Sequence, residues 1–314
     1  MALLARVADR LYWAARYLER AEDTARIVRA YHDLVVDFPG DVVLRWEPLI
    51  AISGNVVSVA ADPDDYSGEL MVLEFLIADR LNPGSIASCV GAARENLRTT
   101  REVMPREAWQ AVNTLSHYVG SNAHSAVRRQ MRDRFLARVI DDSRRLDGVL
   151  DSTMTRANPY RLFRLGRLIE RADMTTRVLG VRAAALLQLE ASGLDPVSDE
   201  VQWMGVLRSL SALQMYQRAT RGPIDGEAVV RFLLFYASFP RSVQSCLDEI
   251  RSIVLTLPSP QDVVATLDDA EAVLSAARPI ASDGHELDDA MDQVQLAITR
   301  LDSAIHARWV SAAP

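Results

Sequence analysis

Apolar residues in the first 38 positions recur at spacings of three and four. Val7, Leu11, Ala14, Leu18, Ala21, Ala25 and Val28 make one stripe and predict a helix over 2–38. Pro39-Gly40 ends it. A more apolar helix is expected over 42–60, although Pro48 and Gly54 interrupt the pattern, and 61–69 reads as a polar turn. A short helix over 68–80 stops at Asn82-Pro83. The next runs over 83–102 with Pro83 in its first turn, and 106–119 and 125–156 follow. Asn158-Pro159 gives a cap and a first-turn proline for a helix over 159–191. The remaining helices are 199–219, 226–238, 240–256, 260–278 and 284–311. No segment alternates with period two for long enough to predict a strand. The fold class is therefore all-α.

The chain also repeats itself. Arg10, Leu11, Arg16, Glu19, Arg20, Ala21, Thr24 and Arg26 recur 151 positions later as Arg161, Leu162, Arg167, Glu170, Arg171, Ala172, Thr175 and Arg177. Phe75, Leu76, Pro83, Ser85, Ser88 and Cys89 recur 157 positions later as Phe232, Leu233, Pro240, Ser242, Ser245 and Cys246, and Trp46 recurs as Trp203. The difference between the offsets points to a longer loop near 192–198. Arg145-Leu146-Asp147 recurs as Arg300-Leu301-Asp302. The expectation is a helical bundle of two sequence-similar halves, 1–157 and 158–314, of about six helices each, sharing a core about a pseudo-twofold axis. No linker-like tract separates them.

Composition narrows the chemistry. Every formally basic side chain is arginine, and there is no lysine. That excludes a Schiff-base lysine and a phosphate-loop lysine. A net charge of −7 argues against a dedicated nucleic-acid binder. No apolar run is long enough for a membrane span, and charges interrupt the amino-terminal stretch where a signal peptide needs apolar residues. A soluble cytoplasmic protein is expected. Cys89 and Cys246 read as small buried helical residues, with no CxxC pair.

On a helical wheel Tyr12, Arg16, Glu19, Asp23 and Arg26 share one arc opposite the apolar stripe. Phe163, Arg167, Glu170, Met174 and Arg177 hold the same arc in the second half. Two readings stand side by side. In one, the arginines grip a carboxylate or phosphate in a cleft and a glutamate holds an amine or acts as a base. In the other, the charges form a network that fixes how helices dock. Arg94, Asn96, Arg98 and Arg101 crowd another helix, where Arg94, Arg98 and Arg101 follow one face, read first as solvated. His117 and His124 are seven apart, but Gly120-Ser121-Asn122 is expected to break the helix between them. No metal site is expected.

The stretches RLYWAARYLERAEDTAR (10–26), LNPGSIASCVGAARENLRTTREVMPREAWQAVN (81–113), GRLIERADMTTRVL (166–179) and FPRSVQSCL (239–247) resemble the alpha-E family of bacterial all-helical proteins. The resemblance implies a setting beside circularly permuted ATP-grasp ligases and transglutaminase-like proteases, sometimes with a proteasome-like hydrolase. It also implies a role in ATP-dependent peptide or amide-bond formation. ATP, if used, would sit on the partner, and no cofactor is evident in this chain. The resemblance carries Arg16, Glu19, Arg20, Arg26, Arg167, Glu170, Arg171 and Arg177 over as the glutamate-bearing motif, with Arg94, Asn96 and Arg101 beside them. Three functions follow for comparison. The first is a subunit binding an anionic or zwitterionic peptide, an amino acid or the ligase. The second is an amide- or ester-forming enzyme with Glu19 or Glu170 as base. The third is a scaffold. A homodimer is left open.

Overall fold

The computed structural model describes residues 5–37, 46–53, 66–192, 199–278 and 284–311. Among these residues every regular element is a helix. In chain order they are α1 (Ala5–Asp37), α2 (Pro48–Ile52), α3 (Tyr66–Ile77), α4 (Ile86–Arg98), α5 (Arg106–Ala126), α6 (Arg129–Thr153) and α7 (Asn158–Ser192). Then come α8 (Asp199–Ser209), α9 (Leu213–Thr220), α10 (Gly226–Phe235), α11 (Val243–Val254), α12 (Gln261–Ala276) and α13 (Gly284–Ile305). A 3₁₀ turn covers Arg101–Val103, and α13 runs into a π-turn over His306–Val310. The expected stop at 39–40, most of the 42–60 helix, most of the 61–69 turn and the 193–198 loop lie outside the described residues.

The chain forms two compact units. The first holds Met1–Arg29, Val43–Glu170 and Ile305–Pro314, and the second holds Ala30–Val42 and Arg171–Ala304. In the first, α5 lays Val112, Leu115, Val119 and Ala123 against Phe135, Leu136, Val139 and Ile140 of α6, all buried. Tyr118 stacks on Phe135 with centroids 5.7 Å apart. In the second, Trp203, Tyr216, Phe232, Val243, Leu247 and Leu267 are buried, and Tyr216 meets Phe232 edge to face.

Three expectations are corrected. Gly120-Ser121-Asn122 does not break α5, which runs on to Ala126. The buried series Val112, Leu115, Val119, Ala123 and Ala126 keeps helical spacing through it. Packing of that stripe outweighs the roughly 1 kcal/mol that a helical glycine costs. The expected 199–219 helix is two helices. Ser211 adopts φ 52, Ala212 N–H donates to the Leu207 carbonyl at 2.7 Å and Ser211 N–H to that of Arg208 at 3.0 Å. This is a Schellman ending without the glycine that usually signals it. Pro83 is not in the first turn of α4, whose cap is Ser85. The Ser85 hydroxyl accepts from Ser88 N–H at 3.1 Å.

The second unit builds the same cap on α11. There the Ser242 hydroxyl accepts from Ser245 N–H, again at 3.1 Å. Cys89 Sγ donates to the Pro83 carbonyl at 3.3 Å, and Cys246 Sγ to that of Pro240 at 3.7 Å.

Candidate functional site

In the first unit α1 is buried on nearly every side. Its apolar stripe is covered, and so is its charged stripe: Tyr12 and Glu19 are inaccessible, and Arg16, Asp23 and Arg26 are buried. Small residues bring the α7 backbone close. A Cβ added to Gly166 would stand 2.4 Å from the Tyr12 carbonyl oxygen and 3.2 Å from the Ala15 Cβ. At that distance the long side chains on either side must interdigitate, and they do so by charge.

The pairing is reciprocal. Arg16 Nε donates to Glu170 Oε2 at 2.8 Å, and Arg167 Nε donates to Glu19 Oε2 at 2.8 Å. Arg16 and Arg167 occupy corresponding positions of the two sequence occurrences, as do Glu19 and Glu170. Arg20 adds a two-pronged grip on Glu170, with Nε at 2.5 Å from Oε1 and Nη2 at 3.0 Å from Oε2. Arg167 also reaches Glu22 at 3.4 Å and pairs with Asp147. Glu22 is approached by Arg26 at 3.6 Å and Arg144 at 3.4 Å, and Arg26 pairs with Asp23. Arg16 lies over the Trp13 ring, 5.2 Å from its centroid. The network thus sets Arg16, Arg20, Arg26, Arg144 and Arg167 against Glu19, Glu22, Asp23, Asp147 and Glu170, with Arg164 at 4.0 Å from Asp147 at its edge.

Titration follows the geometry. Burial pushes the Glu170 carboxyl upward, but Arg20 and Arg16 outweigh it and hold the group below the usual carboxylate range. Burial depresses the Arg20 guanidinium, and Glu170 more than reverses this. Burial raises the Cys89 thiol to about 12, against the opposing pull of Arg20. A carboxylate clamped by guanidiniums is a weak proton acceptor.

The other candidates lie apart. Asn96 is buried and accepts from Arg10 Nη1 at 2.9 Å. Arg94 donates to Asn113 at 2.8 Å, and Arg101 lies 4.0 Å over the Trp109 ring, with Arg94 5.6 Å from its centroid. Arg101 is in the 3₁₀ turn, so Arg94, Arg98 and Arg101 do not continue one helical face, contrary to expectation. Phe163 and Met174 are buried. Arg171 and Arg177 belong to the second unit. Arg171 is buried, and Arg177 pairs with Asp173 at 2.8 Å. His124 is exposed and contacts Glu74 at 2.8 Å. Among the described residues no group of three or more His, Cys, Asp or Glu is placed to hold a metal, and no helix is long and apolar enough to cross a membrane.

The sequence reading missed Asp147, Arg144 and Gly166 as members of this cluster. Glu22, which lies outside the arc of the charged stripe, also belongs to it. Asp147 did leave a signal, because Arg145-Leu146-Asp147 recurs later in the chain.

Two uncharacterized proteins, one from Mycobacterium bovis and one from Mycobacterium tuberculosis, are each 25% identical to this chain over 271 residues. The match covers 81% of this chain but 30% of each relative, so the chain spans less than a third of their length. No solved structure matches it. The model of the Alpha-E family, described as a predicted alpha-helical domain with a conserved ER motif, matches residues 3–310. Glu-Arg occurs twice in the sequence, at 19–20 and 170–171, and both glutamates sit in the reciprocal network. The chain therefore belongs to the Alpha-E family.

Proposed function

We propose that this chain is a non-catalytic component of a peptide- or amide-bond-forming system. It would work beside an ATP-grasp ligase and a transglutaminase-like protein, with ATP held by the ligase. In this reading the twin Glu-Arg motif is an internal lock between α1 and α7. The observation that carries it is the reciprocal pair of 2.8 Å bonds, Arg16 to Glu170 and Arg167 to Glu19, with both glutamates inaccessible to solvent. Arg16, Arg20 and Arg167 are each engaged by a protein carboxylate, which disfavours this cluster as a ligand cleft.

The same geometry weighs against a stand-alone enzyme using Glu170 as base, because its carboxyl is held below the ordinary range. Glu19 is equally buried and held by Arg167. The reciprocal pairing also supports an internal duplication with a pseudo-twofold relation. Such a relation sends each arginine to the other occurrence's glutamate. Two free, buried cysteines fit a reducing cytoplasmic setting.

Purified protein, the co-encoded ligase and a mixture are assayed for ATP turnover with amino acids. Turnover that rises only in the mixture supports a component. Turnover by this chain alone overturns the proposal. Glu19→Gln and Glu170→Gln are then compared at a temperature where both stay folded. Lower thermal stability with stimulation retained supports the lock. Lost stimulation with stability retained assigns the motif to function instead.

A further inference from the structure

The end of α4, the 3₁₀ turn and the start of α5 carry a second group of arginines, none of which enters the lock. Arg101 lies 4.0 Å over the Trp109 ring, and Arg94 is 5.6 Å from the same centroid. Arg94 Nε donates to Asn113 at 2.8 Å and Nη1 to Glu95 at 2.5 Å, which leaves Nη2 uncommitted. Glu95 also accepts from Arg98 Nε at 2.8 Å. Arg101 is exposed and makes no hydrogen bond or ion pair among the described residues. Stacking on the indole fixes the plane of its guanidinium while leaving its N–H groups uncommitted. The Asn113 amide gives its oxygen to Arg94 and donates to nothing among the described residues.

The other charged residues of this stretch are Glu95, Arg98, Glu102, Arg106 and Glu107, all exposed. Glu102, Arg106 and Glu107 make no ion pair among the described residues. Arg10 of α1 contacts α4 on Asn96, across the helix from Arg94. Residues 94–113 thus hold four arginines and three glutamates, a surplus of one positive charge. That surplus suits a single carboxylate better than a phosphate dianion.

The second unit shows the alternative. The buried positions Ala108, Val112, Leu115 and Val119 of α5 are matched 155 residues later by Val263, Leu267, Ala270 and Leu274 of α12. In that register Trp109 corresponds to Val264, Asn113 to Asp268 and Ser116 to Glu271. Arg251, the counterpart of Arg94, holds Glu271 with Nε at 2.9 Å and Nη2 at 2.8 Å, and Asp268 with Nη2 at 2.6 Å. The second unit therefore supplies its arginine with two carboxylates of its own. The first has an amide and a hydroxyl at those positions, and adds an indole and Arg101. Arg101 has no arginine counterpart at either offset, where Thr256 and Pro258 stand.

We propose that the face formed by Arg94, Arg101 and Trp109 binds the carboxylate of a peptide, which does from outside what Asp268 and Glu271 do within the chain for Arg251. Arg101 and Arg94 Nη2 donate to its oxygens, with the Asn113 amide beside them. The carboxylate is chosen by the arginines, and the peptide that bears it rests on the peptide-system reading above.

The test follows the indole N–H resonance of Trp109 by NMR of the full chain at low salt, assigned by its absence in Trp109→Phe. Three blocked tripeptides are titrated in. Acetyl-Gly-Glu-Gly-amide carries a side-chain carboxylate, acetyl-Gly-Gln-Gly a terminal one and acetyl-Gly-Gln-Gly-amide none. The expected result is a saturable shift with one or both carboxylates, and binding of the neutral peptide weaker by about tenfold or more. The tighter of the two carboxylates names the source. Arg101→Gln removes an exposed side chain that bonds to nothing, so the fold is kept, and affinity should fall about tenfold. The comparison of peptides needs no variant. Equal response to the neutral peptide, no saturable shift, tighter binding of inorganic phosphate than of either carboxylate, or unchanged affinity in Arg101→Gln overturns the proposal. A saturable shift without ligase stimulation sinks the function proposed above and leaves this site standing. Stimulation without a shift does the reverse.

Discussion

Replacing Gly166 by alanine tests the packing on which the ion-pair lock depends. The added methyl would stand 2.4 Å from the Tyr12 carbonyl oxygen. A carbon–oxygen contact needs roughly 3.3 Å, so α7 and α1 must part locally by about 1 Å. The obstacle is backbone and cannot rotate away. Arg16 follows Ala15 and Arg167 follows Gly166, so the same parting stretches both 2.8 Å bonds. At about 3.6 Å or beyond they cease to be hydrogen bonds. Alanine gains about 1 kcal/mol of helix propensity. Against that stand about 1–3 kcal/mol of overpacking and about 1.5–3 kcal/mol for a weakened charge-assisted bond. The net expectation is a loss of about 2–4 kcal/mol.

Gly180→Ala is the control on the same helix. Its methyl would lie 3.6 Å from Gln295 Nε2 and from Met291 Cβ, an ordinary contact. It should be neutral or slightly stabilising. Urea unfolding followed by circular dichroism compares the midpoints, since a chain with two compact units need not unfold in one step. The reasoning fails if Gly166→Ala unfolds at the same urea concentration as the natural chain or a higher one.

Three further outcomes are expected. Glu170→Gln leaves Arg16 and Arg20 facing an uncharged amide and should cost about 3–5 kcal/mol near neutral pH by urea titration. Because the folded carboxyl titrates below its ordinary value of 4.5, that contribution is full above this pH and is lost as pH falls through the folded value. The gap between the two proteins should therefore narrow under acid conditions, and a constant gap refutes the assignment. Cys89 and Cys246 are buried, and the Cys89 thiol is raised to about 12, so iodoacetamide should label neither in native protein and both in urea, as read by mass spectrometry. Ser85→Ala and Ser242→Ala each remove a cap bond of 3.1 Å and should each cost about 1 kcal/mol. Markedly unequal costs would show that the two caps are not equivalent.

Most helices were legible because their apolar spacing is regular, and the misreadings have identifiable causes. Ser211 turns left-handed without glycine, so no residue type announced the break between α8 and α9. Gly120 did suggest a break, but the α5 stripe continued through it. The charged stripe of α1 was found, while its setting was not. A helical wheel sees one helix and assigns charge to water, whereas here the covering surface is equally charged and comes from 154 residues away.

The repeat held that information in another form. A reciprocal pair requires each occurrence to supply both a donor and an acceptor. Changing Arg16 alone takes one of two guanidiniums from Glu170, and changing Glu19 alone takes one of three carboxylates from Arg167. Local pairs carry no such demand. Asp23 bonds Arg26 on its own helix, and its counterpart is Met174. The counterpart of Tyr12 is Phe163, which loses only a hydroxyl. The Arg and Glu that answer each other across two helices are the same in both occurrences; among the local pairs, Glu22–Arg26 recurs as Asp173–Arg177 whereas Asp23 gives way to Met174.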